Sequence, residues 1–518
     1  MEIVKANLHM DRNKCQVNTQ ITLEEDKNIS DRNPDAAAIL LDRARIVLDE
    51  IRSAKDMVTL RGRLVYEMLI LSEEKGGLYP LEGEIPFEEK IRAEGVDSID
   101  NVEVTPQLED LRCGLINSRK LSVRALVQFW IKAAQLFDQE IPIGLTGQEG
   151  LEIQKEIISQ SVVAVDRKDI LRVKEELELP ANMPPVQEIL WKSMELGKWE
   201  IRPLEDSIGV QGEIRLFLLY EGEGEERPVK SYETTIPFSG NLECPGSRST
   251  MLSEILPTVG SHSLTVKEDY DGEARMLEAE MVLDLPIHLL ENRDWEILTD
   301  AYGTTREVTP VYTPGHRKLL KDKYQGKVKL SQVFSPGTNG TKILQVCHVE
   351  AMLLPQEVNQ TKEGLEIEGL VSVAILFMTE EEGRPYEALR GEIPYSYLLE
   401  NNEMTEKGYW KVNPSLEHCS GVLLDGETIE VKLMVGLEIT LGEKWQQPFL
   451  SDLQIKPLAP EKLNQLPGVV VYFPGKQESL WEVGKKYMVP LDSIRSLNQL
   501  SSDTLEKGQK VLLVKEVK

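Results

Sequence analysis

The chain has 518 residues, 41% of them hydrophobic and 28% charged. That is too long for one core and too ordinary in composition for long disordered stretches, so three or four domains are expected. A formal net charge of −28 and a pI near 4.8 exclude a broad affinity for nucleic acid or anionic lipid. Five scattered cysteines (Cys15, Cys113, Cys244, Cys347, Cys419) with no CxxC pair fit a reducing compartment. The opening MEIVKANLHMDRNK has charges where an export signal needs an apolar core. No run approaches the roughly 18 apolar residues of a membrane span, so a cytosolic protein is expected.

In chain order, segment 34–51 is open between helix and strand, its later half favouring strand. Residues 58–71, VTLRGRLVYEMLIL, then place Val58, Leu60, Leu64, Tyr66, Met68 and Ile70 on alternate positions of a strand. IGVQGEIRLFLLY (208–220) and LEIEGLVSVAILF (365–377) repeat that pattern. A glycine sits in each inward-facing series, at Gly62, Gly212 and Gly369, and predicts a bend, a bulge or a close backbone approach. Each run leads through a polar turn (72–77, 221–228, 379–385) to an Ile-Pro-aromatic signature, with Pro86, Pro237 and Pro394 read as a corner at a strand edge or end. Further alternating strands follow at 119–131, 274–287 and 427–441. Three copies of one pattern predict three β-rich domains over 14–140, 156–290 and 318–445, with Gly- and Pro-bearing linkers at 139–150 and 306–318.

The tail changes character. VVVYF (469–473) reads as a strand, and Ser479 with Glu482 forms a capping box opening a helix. Leu480, Val483 and Tyr487 give that helix one buried stripe, while Trp481 lies to its side with Lys485 within cation–π reach. Pro490 separates a second helix carrying Leu491, Ile494 and Leu497, and QKVLLV (509–514) closes a βααβ module over 468–516. Residues 468–518 hold eight Lys/Arg and six Asp/Glu, a mildly basic tip on an acidic body.

This tail resembles a LysM domain: Leu480, Trp481, Tyr487, Leu497, Asn498, Gly508 and Gln509 match that family's motif in order and spacing. The resemblance implies a shallow glycan groove lined by Glu478, Ser479 and Leu480 on one side and by Leu500 and Ser501 on the other. The glycine-bearing strands and Ile-Pro-Phe/Tyr signatures of the body resemble SPOCS domains. Triple SPOCS with a terminal LysM is similar to the SipL family of spore envelope proteins. That resemblance implies a mother-cell protein at the forespore surface, bound to the coat-basement ATPase (stage IV sporulation protein A) or another coat protein.

No HExxH, GxSxG or Walker-type run occurs, and the EGEGEE run (221–226) reads as a solvated turn. Cys347–His348 and His418–Cys419 suggest a metal site only superficially, since adjacent strand residues face opposite ways. The expected protein is therefore mainly β, non-enzymatic, and without metal or cofactor. Its expected partner-binding residues are Trp481, Lys485 and Lys486 on the opening helix. The alternative is a peptidoglycan binder taking N-acetylglucosamine oligomers in the LysM groove.

Overall fold

The computed structural model describes residues 2–74, 76–147, 149–225, 227–336, 342–381, 383–401, 405, 407–458, 468–475, 478–500 and 502–514. The body is three β-sandwiches built to one plan. In the first, β1 (Ile3–Asn28), β6 (Lys120–Leu145) and β5 (Asn101–Asn117) form one antiparallel sheet, in the order β1-β6-β5. Its other sheet is β2 (Ala36–Ala54), β3 (Met57–Ser72) and β4 (Leu78–Arg92). Segment 34–51 is thus strand from Ala36 on, because pairing with β3 overrides the helical leaning of its Ala and Leu.

The second sandwich sets β7 (Leu151–Glu178), β13 (Ala274–Gly303) and β12 (Thr258–Glu268), with the short β11 (Leu252–Ser253), against β8 (Val186–Leu204), β9 (Ser207–Gly222) and β10 (Val229–Glu243). The third sets β14 (Arg306–Phe334), β20 (Ile429–Pro457) and β19 (Gly408–Leu423) against β15 (Ile343–Leu353), β16 (Glu357–Gln360), β17 (Gly364–Thr379) and β18 (Tyr386–Glu400). Each sandwich closes over its own cluster of inward-facing apolar residues, including Leu60, Leu64 and Phe129 in the first.

The repeated glycines have a steric reason. Gly62, Gly212 and Gly369 lie directly across the ladder from Phe87, Phe238 and Tyr395, the aromatic residues of the Ile-Pro-aromatic signature. Each ring covers the bare backbone; a Cβ at Gly212 would lie 2.7 Å from the Phe238 ring and 2.8 Å from the Lys198 carbonyl oxygen. The signature is not a corner, however: Pro86, Pro237 and Pro394 sit inside β4, β10 and β18, which continue beyond them. All three are edge strands, where every second amide faces outward and a missing N–H breaks no ladder bond.

The outer strands overrun the expected bounds 14–140, 156–290 and 318–445 at both ends. Beyond the sandwiches, β1 with β6, β7 with β13, and β14 with β20 continue as three two-stranded ribbons. A register shift marks each departure, between Asn13 and Cys15, Leu289 and Leu290, and Leu320 and Asp322. Residues 306–318, expected as a linker, are ribbon, and so is 139–145. Their Gly and Pro are accommodated within it: Pro314 faces Pro448 across the ladder, and Gly315 lets the Phe449 ring lie against the backbone.

The ribbons bundle into a trunk. Leu8, Ile141, Ile158, Ile297 and Phe449, from five strands, share one apolar cluster. Lys318 is buried there and reaches Asp11 at 3.0 Å, while Arg317 donates to the Ser159 carbonyl at 2.7 Å. Limited proteolysis should therefore spare 306–318, whose backbone is paired with β20 throughout; an early cut there would contradict the ribbon. The join between body and tail at 456–468, where cleavage is also expected from the sequence, falls mostly outside the described residues.

A second junction joins the outward faces of the other sheets. Leu41, Leu69, Trp191, Phe217, Leu219, Leu376 and Tyr386 bring all three sandwiches into one cluster. At its margin Arg43, Ser193 and Glu350 occupy equivalent register positions, opposite Glu67, Phe217 and Ala374. Arg43 ion-pairs with Glu67, donates to the Lys192 carbonyl at 2.5 Å, lies over the Trp191 ring and reaches Glu350 at 3.7 Å. His348 stacks on Phe217 with ring centroids 3.7 Å apart, and its burial pushes the imidazole down to about 3.

Candidate binding site

The C-terminal module consists of β21 (Val469–Tyr472), α1 (Leu480–Tyr487), α2 (Leu491–Asn498) and β22 (Val511–Val514), with the two strands paired antiparallel. Helix α1 begins where Ser479 and Glu482 complete a reciprocal cap: the Glu482 amide donates to Ser479 Oγ at 3.2 Å, and the Ser479 amide to Glu482 Oε2 at 2.8 Å. It ends at Met488 in the left-handed region. Leu480, Val483, Val489, Ile494, Leu505, Val511 and Leu513 make the core, with Tyr487 packed against it. Asn498 stitches α2 to β22, since its amide donates to the Leu512 carbonyl at 2.7 Å and accepts from the Leu512 amide at 2.6 Å. On α2, Ile494 is buried while Leu497 is 46% exposed.

Three separate environments receive the expected site residues. The two loops that would flank a glycan groove are joined by the Leu480 amide, which donates to the Asp503 carbonyl at 2.8 Å, and by a bridge from Ser479 to Thr504. Glu478 lies there, accepting from the Tyr472 hydroxyl and, at 2.7 Å, from the Gly475 amide; the amide bond first and the hydroxyl second hold its carboxyl below the usual range. Lys486 lies 5.2 Å over the Tyr472 ring, beside this loop pair. Leu480 is fully buried, so its side chain is core and not groove wall. Leu500 is half-buried against the same core, and Ser501 lies outside the described residues.

Trp481 and Lys485 lie against the tip of the second ribbon. The Trp481 indole N–H donates to Asp300 Oδ2 at 2.9 Å, and Lys485 Nζ reaches Asp300 Oδ1 and Oδ2 at 2.8 and 2.6 Å. The Lys485 ammonium thus pairs with a carboxylate of the body, where a contact over the Trp481 indole was expected. Tyr302 meets the indole edge-on, centroids 4.9 Å apart, and its hydroxyl donates to the Val489 carbonyl at 2.8 Å. On β7, the Glu152 carboxylate accepts from the Leu491 amide, and burial, with Asp492 adding to it, pushes its carboxyl up. Gly484 permits the approach, because a Cβ there would lie 2.6 Å from the Tyr302 hydroxyl. Trp481 is only 9% exposed, yet it belongs to no part of the module's own core.

Sequence reasoning missed Glu152, Asp300 and Tyr302. A register shift between Leu298 and Asp300 re-aims the β13 tip and leaves Asp300 and Tyr302 on one side, toward α1. Period-two patterning carries no sign of that bulge.

The comparisons agree with this architecture. The SipL SPOCS-domain family model matches residues 35–116 and 185–267, which are β2 to β5 and their counterparts in the second sandwich. The LysM-domain model matches residues 475–513. No curated protein and no solved structure matches the chain. Fold and module define a repeated SPOCS scaffold bearing a LysM domain, and neither matched family is catalytic. In the matched segments the chain is similar to SipL-type proteins of sporulation, and it carries their SPOCS and LysM domains. Among the described residues, no helix is long and apolar enough to cross a membrane.

Proposed function

We propose that the protein is a non-enzymatic assembly factor of the spore envelope. Its three repeats, extending over 14–140, 156–290 and 318–445 and along the attached ribbons, are the scaffold, and the LysM domain is the partner-binding tip. The partner is a coat morphogenetic protein, the coat-basement ATPase (stage IV sporulation protein A) or a coat protein like it, met in the mother-cell cytoplasm at the forespore surface. One observation carries this reading: the α1 face bearing Trp481 and Lys485 lies outside the module's core and already engages a protein surface through an indole, an ammonium and a carboxylate. An aromatic anchor beside a cation is typical of protein interfaces. Trp481→Ala should weaken partner binding some 30-fold, the equivalent of about 2 kcal/mol, while the isolated tail melts as the parent does. Pull-down from sporulating cells with and without residues 468–518 supplies the complementary measurement. An unaltered affinity, or a collapsed melt, would reject the role given to Trp481.

A second reading has its own support. The loops carrying Glu478 and Ser479 are tied to residues of the module itself, Gly475 and Thr504, so a peptidoglycan glycan could occupy them with the module docked. Chitin-oligomer binding lost on changes at the loops but kept in Trp481→Ala would favour this wall-anchor role.

A further inference from the structure

We infer that the Asp300–Tyr302 seat is a self-occupied version of the partner site: the α1 face recognises a carboxylate and a phenol two residues apart on an extended strand, and a partner docks by displacing the seat. This rests on the reading of that face as a protein-binding surface. Its recognition chemistry is already visible in the intramolecular contact. Asp300 takes the Trp481 indole N–H and the Lys485 ammonium together, so one carboxylate satisfies both polar groups of the face. Tyr302, on the same side of the strand, supplies an edge-on ring to the indole and a hydroxyl to the carbonyl left free at Val489 after α1. Glu152 adds a carboxylate at the α2 amide. The carboxylates suit a mildly basic module, and a competitor is expected to be an acidic segment with an aromatic residue on the same face.

Tethering makes the intramolecular seat a strong competitor. A covalently attached site acts at an effective concentration in the millimolar range, so a free ligand of the same chemistry sees its affinity divided by the small released fraction. Binding at α1 is then coupled to undocking of the module, and its strength is set partly by residues about 180 positions away in the second repeat.

The test uses the full chain and a synthetic peptide of residues 298–303, LTDAYG, as the probe. The double variant Asp300→Asn/Tyr302→Phe removes the seat's charge and its hydroxyl while leaving the module untouched. Release is read as a red shift of tryptophan emission, taken as the difference from matching Trp481→Phe chains. The expected result is release, with peptide binding at least about ten-fold tighter than to the parent, and loss of that binding when Trp481→Ala is added. Unshifted emission would show that these groups do not hold the module and would overturn the inference, leaving the partner reading intact. Release without tighter peptide binding would overturn the proposed recognition chemistry. Tighter binding that survives Trp481→Ala would place the peptide elsewhere and reject the reading of the α1 face itself.

Discussion

Arg43→Ala should destabilise the assembled body by about 3–5 kcal/mol, seen as a lower denaturant midpoint of the full chain. The guanidinium is the hub of the junction between repeats: it serves Glu67 in its own sandwich, the Lys192 carbonyl and the Trp191 ring in the second, and Glu350 in the third. Removal leaves part-buried acceptors without a donor, in a place where Glu350 Oε2 already has none. Burial, opposed by Arg43 and reinforced by Glu195, Asp42 and Glu67, pushes the Glu350 carboxyl up to about 7. His348 on the same strand, Arg215 on β9, Cys419 on β19 and His262 on β12 are further ionisable groups in the surroundings. The sign follows from linkage. The folded protein holds this proton above the pH at which the unfolded chain releases it, so the contribution of Glu350 is fully present at low pH and is lost as pH rises from about 4.5 to about 7. Glu350→Gln should gain on the parent by about 2–3 kcal/mol across that window and by nothing more above it. A constant difference between the two chains would mean that the carboxyl titrates normally. Replacing the pair together, Arg43→Met with Glu350→Leu, should restore only the part of the loss that Glu350 causes, since Glu67 and the Lys192 carbonyl still lack their donor.

Gly212→Val should cost about 3 kcal/mol, because two different obstacles flank the missing Cβ. One is the Phe238 ring at 2.7 Å, which can tilt; the other is the Lys198 carbonyl oxygen at 2.8 Å, which belongs to the neighbouring strand. Moving that carbonyl disturbs the ladder at a bulge that shifts register between Leu196 and Trp199. Gly212→Ala meets the same carbonyl and should fall between parent and Val. A parent-like melt for both would mean that the backbone yields there and that the shared glycine has no steric basis.

Much of the sandwich was legible because it alternates. Val58, Leu60, Leu64, Tyr66, Met68 and Ile70 face a core, and the period survives in all three copies. The LysM tail was legible from local chemistry: the Ser479–Glu482 cap and the stripe of Leu480, Val483 and Tyr487 are fixed by neighbours in sequence. The ribbons were not. Residues such as Pro314 and Gly315 carry loop chemistry, and only their placement opposite Pro448 and Gln447 makes them strand. The docking of α1 was illegible for a different reason: Lys485 and Asp300 are 185 positions apart, and a bulge with no sequence signature turns Asp300 toward α1. Trp481 could be placed at the margin of its helix, but what covers that margin could not be read.

The paired outer strands also set a timetable for biosynthesis. Glu2 and Thr146 are hydrogen-bonded across 144 positions, so β1 has no partner until the end of its repeat has left the ribosome. At roughly 5–20 residues per second, that strand waits on the order of ten seconds as an open edge. Closing such a long loop is entropically costly and slow, and it recurs in each repeat. The charges along β1, including Asp11, Arg12, Lys14, Glu24, Glu25 and Asp26, serve the nascent chain as much as the finished one. An unpaired strand is a template for its neighbours on the same polysome, and charged side chains along it oppose the burial that joining two such edges would need.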